Sequence, residues 1–396
     1  MIFTKEKLTI ENFGPIKSVE LELKRFNILI GEQATGKSTV AKVLAVCRYF
    51  SFINEFNYFE KEGSAFSWGL ISWGLDGFVK KDTIISYSCQ HYSLEAVAVK
   101  TSFDPWVNKS NDNEESFDVE IKLVPKSKEF KTLLSELKKI NANLNKYSLE
   151  DTPVTFFQNK VAKVMENPFY LPAERGLQSI FSLGKSPNFS DSLFNQFAKI
   201  DSINKNFKKA TEIEPLNLFY KNERGSSLFK SKKHGFINLS NAATGYQSAI
   251  PIVLTIKYYS DIRKKKKTFI VEEPEQNLFP KAQYELVKFF TEDINSMHTL
   301  LITTHSPYIL TSLNNLMYAY QTGQDSETES NKIIEKKYWL DPNEVSSYML
   351  LPDGTCENIL NRSDDGTILI KAEKIDAISR QLNRDFDKLI DLEISK

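Results

Sequence analysis

Residues that cross-link chains or bind metal ions are scarce in this sequence. It has three Cys and four His among 396 residues. The cysteines, at positions 47, 89 and 356, are far apart in the chain, and no pair of them has the spacing of zinc ligands. An odd, scattered set of this kind is typical of reduced thiols, so we expect a cytoplasmic protein.

Net charge and long apolar runs are also missing. Fifty-one basic residues balance 51 acidic ones, so we expect at most weak binding to duplex DNA. No run of about 18 apolar residues occurs, which predicts that nothing spans a membrane. The N-terminal segment MIFTKEKLTI lacks the pattern of a secretory signal peptide.

Strand-like and helix-like segments alternate along the chain, which predicts an α/β fold with a mainly parallel sheet. Short apolar runs at 26–30, 269–271 and 300–302 have the composition of buried central strands. We expect a single domain over residues 1–396.

Three parts of the chain are expected to add to this domain. An antiparallel β lobe is predicted as an insertion at 58–125, because three segments there have alternating apolar residues. A strand plus a helical lobe is predicted at 126–235, and a C-terminal extension at 313–396. Within the extension we expect an exposed polar loop at 320–331 and a docked terminal helix. The apolar face of that helix carries Ile375, Ile378, Leu382, Phe386 and Leu389.

The segment GEQATGKS matches the phosphate-binding pattern GxxxxGK[ST], and it follows an apolar strand and opens a helix, as the pattern requires. Backbone N–H groups of such a loop, with the positive end of the helix dipole, wrap a phosphate chain. The predicted ATP-binding residues are Gly31, Glu32, Gln33, Ala34, Thr35, Gly36, Lys37, Ser38 and Thr39. We expect Lys37 to reach the β- and γ-phosphates and Ser38 to bind Mg²⁺.

Two adjacent carboxylates, Glu272 and Glu273, end the apolar run 269–271. Acidic side chains are rarely buried unless something pairs them, and a P-loop with Mg²⁺ needs a carboxylate at the end of a neighbouring strand. This predicts that Glu272 holds the metal, through a water, and that Glu273 orients or deprotonates the attacking water.

Three further segments resemble motifs of ABC-type ATPases and occur in the ABC order. LSNAATGYQS (239–248) resembles the signature motif, PEQNLFP (274–280) resembles the segment after Walker B, and His305 resembles the switch histidine. The resemblance implies a catalytic role for His305. It also implies that Thr244, Gly245 and Gln247 contact nucleotide.

The resemblance narrows to the soluble ABC ATPases of OLD and RecF type, which are often grouped with AAA family ATPases. The segments that carry it are IENFGPIKSVEL (10–21), YLPAERG (170–176), EEPE (272–275) and ITTHSPYIL (302–310). It implies a head-to-tail dimer in which the signature motif of one subunit caps ATP on the P-loop of the other. Departures from the family pattern are Glu272 for Asp, Thr244 for Ser and Tyr246 for Gly.

Several features have two interpretations. Phe13 is either a core residue or an aromatic that stacks on adenine. Glu174 and Arg175 either sense the nucleotide or pair with groups at a strand end. The basic run 263–267 is a solvated turn or a contact for DNA or a partner, and the DxD pattern at 385–387 is interpreted as surface charge.

We expect an ATPase without nuclease activity of its own, because no nuclease motif accompanies the ATPase motifs. Such ATPases resemble the ATPase subunit of two-component anti-phage systems, as in the PARIS and Septu types, where a separately encoded nuclease is the effector. One alternative is a RecF-type repair or recombination ATPase that binds duplex DNA. The other is an ATP-stabilised scaffold with little turnover.

Overall fold

The computed structural model describes residues 6–48, 65–100, 117–143, 168–177, 191–231, 235–294, 298–371 and 377–394. The strands are β1 Glu6–Phe13, β2 Ile16–Leu23, β3 Phe26–Gly31, β4 Val79–Ser88, β5 Tyr92–Lys100, β6 Phe117–Pro125, β7 Phe169–Leu171, β8 Thr211–Ile213, β9 Leu218–Glu223, β10 Ser226–Ser231, β11 Ile237–Asn238, β12 Lys267–Glu272, β13 His298–Thr304, β14 Val345–Leu350, β15 Cys356–Asn358, β16 Leu360–Arg362 and β17 Ile368–Ile370. The helices are α1 Lys37–Arg48, α2 Ala65–Ser72, α3 Lys128–Asn143, α4 Asp191–Asn204, α5 Thr244–Lys257, α6 Pro280–Asp293, α7 Pro307–Asp325, α8 Glu327–Ile333 and α9 Ala377–Ile394.

A six-stranded sheet in the order β15-β14-β3-β13-β12-β7 forms the centre of the fold. Five of its strands are parallel, and only β15, at one edge, runs antiparallel. This confirms the predicted α/β class with a mainly parallel sheet. Because parallel strands end on the same side, β3, β12 and β13 bring the segments that follow them to one edge of the sheet.

Helix α1 is buried on almost every side. Ten of its twelve residues are buried, the exceptions being Ser38 and Lys42, as expected for a helix covered all round. On one side Arg48 donates to Thr268 of β12 (3.0 Å), and on the other the Tyr92 hydroxyl donates to the Cys47 carbonyl (2.7 Å). The helix that begins at the P-loop therefore lies between the central sheet and a second sheet.

That second sheet has five antiparallel strands in the order β2-β1-β4-β5-β6. The three strands predicted near 83–125 are present, but they do not form a lobe of their own, because β4 pairs with β1 (Leu8 opposite Tyr87). Strand β1 pairs with a neighbour on each side, so the N-terminal hairpin and the inserted strands share one sheet. Residues 58–64 and 101–116 of the predicted lobe lie outside the described residues.

The region 126–235 contains more than helices. Strands β8, β9 and β10, together with β11 just after this region, form a four-stranded antiparallel sheet, so the description of a strand plus a helical lobe was incomplete. These strands are two to six residues long, and such short alternating segments are weak patterns to detect in a sequence.

The C-terminal extension contributes to the central sheet, because β14 pairs in parallel with β3. Two serines interrupt the apolar run of this strand, which hid it in the sequence. Ser346 is nevertheless satisfied inside the sheet, since its hydroxyl donates to Oδ1 of Asn27 (2.7 Å).

The prediction of a loop at 320–331 was wrong, because most of these residues belong to helices α7 and α8. The Ser330 hydroxyl bonds to the Thr322 hydroxyl (3.1 Å), and Gly323 packs directly beneath the Trp339 ring. These contacts stabilise a polar segment whose sequence has no helical apolar periodicity, so tertiary packing overrides the local pattern.

The terminal helix α9 is present, but the prediction that its apolar face packs against the domain was wrong for the residues of that face that the structure describes. Phe386 and Leu389 are 63% and 64% exposed. Helical periodicity predicts an apolar face but not what covers it. Ile375 lies outside the described residues, as do the side chains of Ile378 and Leu382. None of the described helices is long and apolar enough to cross a membrane.

Candidate functional site

The loop between β3 and α1 is tightly packed at two glycines. Gly36 has a φ of +93°, which favours glycine, and a Cβ there would lie 2.4 Å from Cδ1 of Ile16. A Cβ on Gly31 would lie 2.4 Å from the carbonyl oxygen of Leu350, at the end of β14. Both glycines of the pattern are thus required by close approach. The stretch 32–34 and Ser38 are exposed, whereas Thr35 and Thr39 are buried.

Lys37 lies inside this loop. It is only 6% exposed, and its Nζ donates to the carbonyls of Gly31 (2.9 Å) and Glu32 (2.6 Å). Burial lowers the pKa of Lys37 to about 8, although the carboxylates of Glu273, Glu275 and Glu272 oppose this shift. With a pKa of about 8, Lys37 remains mostly protonated at neutral pH, so it can bind phosphate as a cation.

The switch-type histidine bridges the P-loop and the acidic pair. Strand β13 lies between β3 and β12, so His305, just after β13, is placed between Lys37 and Glu273. Its Nε2 is 3.3 Å from Oε1 of Glu273, and its Nδ1 is 3.5 Å from Nζ of Lys37. A neutral ring with its proton on Nε2 satisfies both contacts, because it donates to Glu273 and accepts from Lys37.

Glu272, the last residue of β12, fits the role of metal ligand. It is 4% exposed; Oε2 accepts from the Ala173 amide (3.3 Å), and Oε1 has no hydrogen-bond partner of good geometry. Burial raises the pKa of Glu272, and the nearby hydroxyls of Ser38 and Tyr170 lower it in part. A buried carboxylate oxygen without a partner is costly, and a cation shared with the Ser38 hydroxyl would offset that cost.

The protein itself offers few ligands for this cation. In the parts of the chain that the structure describes, no three His, Cys, Asp or Glu residues come together as a metal-binding group. Mg²⁺ is commonly held by one or two protein ligands, with waters and the substrate's phosphates completing its shell. Ser38 and Glu272 therefore fit Mg²⁺ that arrives with ATP.

Glu273 has an unusual backbone. Its φ is +42°, a conformation that costs a residue with a side chain about 1–3 kcal/mol and persists only where its surroundings enforce it. Both of its backbone groups are held: the amide donates to the Thr303 carbonyl (2.8 Å), and the carbonyl accepts from Arg175 (2.6 Å). The Glu273 side chain contacts His305, whereas the Glu272 side chain contacts the Ala173 amide.

Glu275 fixes the position of His305 from the other side. Its Oε1 accepts from the His305 amide (2.8 Å) and from the Thr304 hydroxyl (2.7 Å). The acid-rich segment therefore anchors the backbone of the histidine that contacts Glu273. We did not predict this role from the sequence.

Arg175 also lies at this edge of the sheet, and the sequence left two interpretations of it open. It is fully buried and makes four hydrogen bonds, all to backbone carbonyls, whereas Glu174 is exposed. Of the two interpretations of this pair, the structure supports pairing at a strand end for Arg175. The motif YLPAERG was visible in the sequence, but nothing in it indicates which carbonyls the arginine reaches.

The signature-like segment begins α5. Thr244 is exposed at the start of the helix, while Gly245 is buried, and a Cβ there would lie 2.5 Å from the Asn277 carbonyl oxygen. The small size of Gly245 is therefore required within its own chain. Gln247 donates to the carbonyls of Ala242 (2.8 Å) and Ser240 (3.3 Å).

The remaining ambiguous residues lie away from this edge or are buried. Phe13 is fully buried and packs edge-to-face on Phe78 (5.7 Å between ring centres), so the adenine-stacking interpretation is corrected to a core role. The run 263–266 is exposed; it lies at the end of the π-helical segment that follows α5 and in the loop before β12. On α9, Asp385 contacts Gln381 and Lys388, in agreement with surface charge.

A family profile identifies an ATPase domain in this chain. The profile of the AAA ATPase domain family matches residues 98–310, more than half of the chain, a range that includes both strand-end acids and His305 but not the P-loop. The comparison with curated proteins finds no match.

Solved structures of similar shape include SMC head domains. The head domain from Thermotoga maritima has 9% identity and a TM-score of 0.42, covering 90% of this chain and 98% of that one. An Smc head with an extended coiled coil, bound to the C-terminal domain of ScpA derived from Pyrococcus furiosus, has 10% identity and a TM-score of 0.40, covering 96% and 99%. On the profile match, the chain belongs to the AAA ATPase domain family.

Proposed function

We propose that this ATPase is a switch whose two states are set by ATP binding and hydrolysis, and that hydrolysis depends on Lys37, Glu273 and His305. The observation that carries the proposal is the position of His305 between the other two side chains, 3.3 Å from Glu273 and 3.5 Å from Lys37. This contact joins the phosphate-binding loop to the candidate base.

Each residue then has a distinct task. Lys37 and the backbone N–H groups of the P-loop bind the phosphates of ATP. The Glu273 carboxylate accepts a proton from the attacking water, and His305 holds that carboxylate through its Nε2–H. When bound between Ser38 and Glu272, Mg²⁺ would neutralise charge on the phosphates. Breaking the bond to the γ-phosphate leaves ADP and inorganic phosphate.

We further propose a head-to-tail dimer. Thr244 is exposed at the N-terminus of α5, where a hydroxyl and the positive end of the helix favour a phosphate group. A P-loop surface and a signature surface on one chain suit a two-fold arrangement in which each completes the other's site. Closing on ATP and opening after hydrolysis would present two different surfaces to a partner.

The partner that we propose is a separately encoded effector nuclease in bacterial anti-phage defence. This part of the proposal is supported by the resemblance of the YLPAERG, EEPE and ITTHSPYIL segments to the OLD and RecF type of ATPase. Co-purification of the chain with such a nuclease in an ATP-dependent manner would support this part of the proposal. Equal co-purification with and without ATP would oppose it.

The test of the ATPase switch is Glu273→Gln. We expect ATP binding to persist while hydrolysis falls by about 10²–10⁴-fold, because general-base catalysis contributes on that order, and we expect the ATP-bound dimer to accumulate. Phosphate release, ATP binding and mass in solution are measured together. Glu285→Gln makes the same chemical change on α6 and should leave all three unchanged. Hydrolysis at the wild-type rate in the Glu273 variant would remove Glu273 from the proposed role.

A further inference from the structure

Arg175 joins three segments that are distant in the sequence. Its Nε donates to the Ser248 carbonyl on α5 (2.8 Å), and NH1 donates to the carbonyls of Pro172 (3.0 Å) and Glu272 (2.5 Å). NH2 donates to the Glu273 carbonyl (2.6 Å). One guanidinium therefore connects the end of β7, the signature-like helix and the backbone of both strand-end acids.

The choice of acceptors is informative. A fully buried cation usually faces a carboxylate, because burying an unpaired charge is expensive. The four hydrogen bonds of Arg175 go to carbonyls instead, and the carboxylates of Glu275, Glu272 and Glu273 act on it only as nearby charges that oppose the lowering of its pKa to about 10 by burial. The acidic side chains remain available for chemistry, while their backbone is clamped.

The clamped backbone is also the strained one. Glu273 adopts a φ of +42°, and such conformations persist only where the surrounding structure enforces them. The bond from Arg175 to the Glu273 carbonyl supplies part of that enforcement. Arginine suits this task better than lysine, because its planar fork reaches several acceptors at once, whereas an ammonium is a single point donor.

We infer that Arg175 is a positioning residue that holds the Glu273 backbone in its left-handed conformation and ties it to helix α5, so that movement of the signature-like helix reaches the candidate base. The inference rests on the proposed role of Glu273. It assigns Arg175 no contact with ATP or with the reacting atoms.

A double-mutant cycle separates this role from simple stabilisation. Arg175→Lys is expected to lower kcat by about 10²-fold, the cost of a misplacement of about 1 Å, while KM for ATP changes less than about threefold. In single-turnover measurements, Arg175→Lys combined with Glu273→Gln should be no slower than Glu273→Gln alone, since groups that act as one unit are not additive. Arg25→Lys is the matched control; Arg25 also anchors backbone and carboxylate groups, at Ile294 and Glu344, and its variant should keep the wild-type kcat.

The outcomes distinguish the two claims. If Glu273→Gln hydrolyses ATP at the wild-type rate, the proposed function is contradicted, because Glu273 is then not the general base. If Glu273→Gln is slow, but adding Arg175→Lys lowers its rate by the same factor as in the wild-type protein, Arg175 acts independently of Glu273 and the inference is overturned. Should Arg175→Lys not fold, Arg175→Gln, which retains a planar donor group, replaces it in the same cycle.

A second measurement needs no change to Arg175. Hydrogen exchange of the wild-type protein is followed with and without ATP in segments 169–175, 244–250 and 268–276. The clamp predicts that protection changes in all three segments together. A change in 244–250 that leaves the other two segments as they were would overturn the inference.

Discussion

The Nε2 atom of His305 lies 3.3 Å from Oε1 of Glu273. Strand order produces this contact, because β13 separates the P-loop strand from the strand that ends in the acids. The opposite ring nitrogen faces Lys37 at 3.5 Å. A single imidazole therefore contacts both the P-loop lysine and the second strand-end acid.

This contact predicts the effect of changing His305. His305→Ala is expected to lower kcat by about 10–10²-fold, less than Glu273→Gln, because Glu273 keeps its carboxylate but loses the group that orients it. His305→Gln, whose amide retains a donor, should keep more activity than the alanine variant. Steady-state kinetics decide the order, and equal activity of the alanine variant and the wild type would contradict it.

ATP affinity should depend on pH through Lys37. The pKa of Lys37 is lowered to about 8, and bound phosphates should raise it, so affinity should be constant below pH 8 and fall by up to about tenfold per unit as the pH rises through 8. The terminal phosphate of ATP, with a pKa of about 6, stays ionised over this range. ATP titrations of Glu273→Gln between pH 7 and 9.5 measure this effect. Adding Lys37→Ala should weaken binding and abolish the pH dependence; a dependence that survives this change would belong to another group.

Removing the charge of Glu272 should stabilise the protein while abolishing its response to Mg²⁺. Burial raises the pKa of Glu272 in the folded protein. As the pH rises, Glu272 therefore ionises in the unfolded chain before it ionises in the folded protein, and the free energy of unfolding falls between these two pKa values. At neutral pH, Glu272→Gln is expected to have a melting temperature equal to or above that of the wild type. Its hydrolysis rate should be low at every Mg²⁺ concentration.

The control for that experiment is Glu285→Gln, an equal change at a partly exposed position of α6. It should shift the free energy of unfolding by less than about 0.5 kcal/mol and leave the Mg²⁺ dependence intact. A Glu272→Gln protein that melts far below the wild type, with its Mg²⁺ dependence unchanged, would show that Glu272 has a structural role instead.

A shared active site predicts complementation between two inactive variants. Lys37→Ala removes phosphate binding at the P-loop, and Thr244→Glu places a negative charge at an exposed position that should repel ATP held by the other chain. Each variant alone is expected to be inactive, and a mixture should regain about one working site per mixed dimer. Thr244→Glu is preferred to a change at Gly245, because a side chain there would strike the Asn277 carbonyl. If the variants fold and associate but every mixture stays inactive, the sites are not shared.

Duplex DNA should bind weakly, in contrast to the RecF-type alternative. With no net charge, we expect non-specific dissociation constants of roughly 10⁻⁴–10⁻⁶ M or weaker at physiological salt. Labelled duplex is titrated with protein, with and without ATP, across a salt series. A variant with Gln at the exposed positions 264–266 tests the basic turn and should bind no more tightly. Nanomolar, ATP-dependent binding by the wild type would favour the DNA-repair alternative.

Local sequence was sufficient to select the P-loop pattern, the acidic pair and the histidine as candidate site residues. Each of these patterns lies within a few consecutive residues, and the strand before each pattern is apolar enough to detect. The α/β class followed from the same alternation of strand and helix. The signature-like segment was visible in the same way, although the packing of Gly245 on its own chain was not.

Only the tertiary structure decided how these pieces act on one another. The pairing of β14 with β3 places the Leu350 carbonyl against Gly31, and the position of β13 places His305 between Lys37 and Glu273. Arg175 reaches the carbonyls of Glu272 and Glu273 from almost a hundred residues away. Such contacts depend on which strands pair across long stretches of chain, and pairing is selected by packing and burial over the whole sheet, whereas sequence patterns report only the preferences of neighbouring residues.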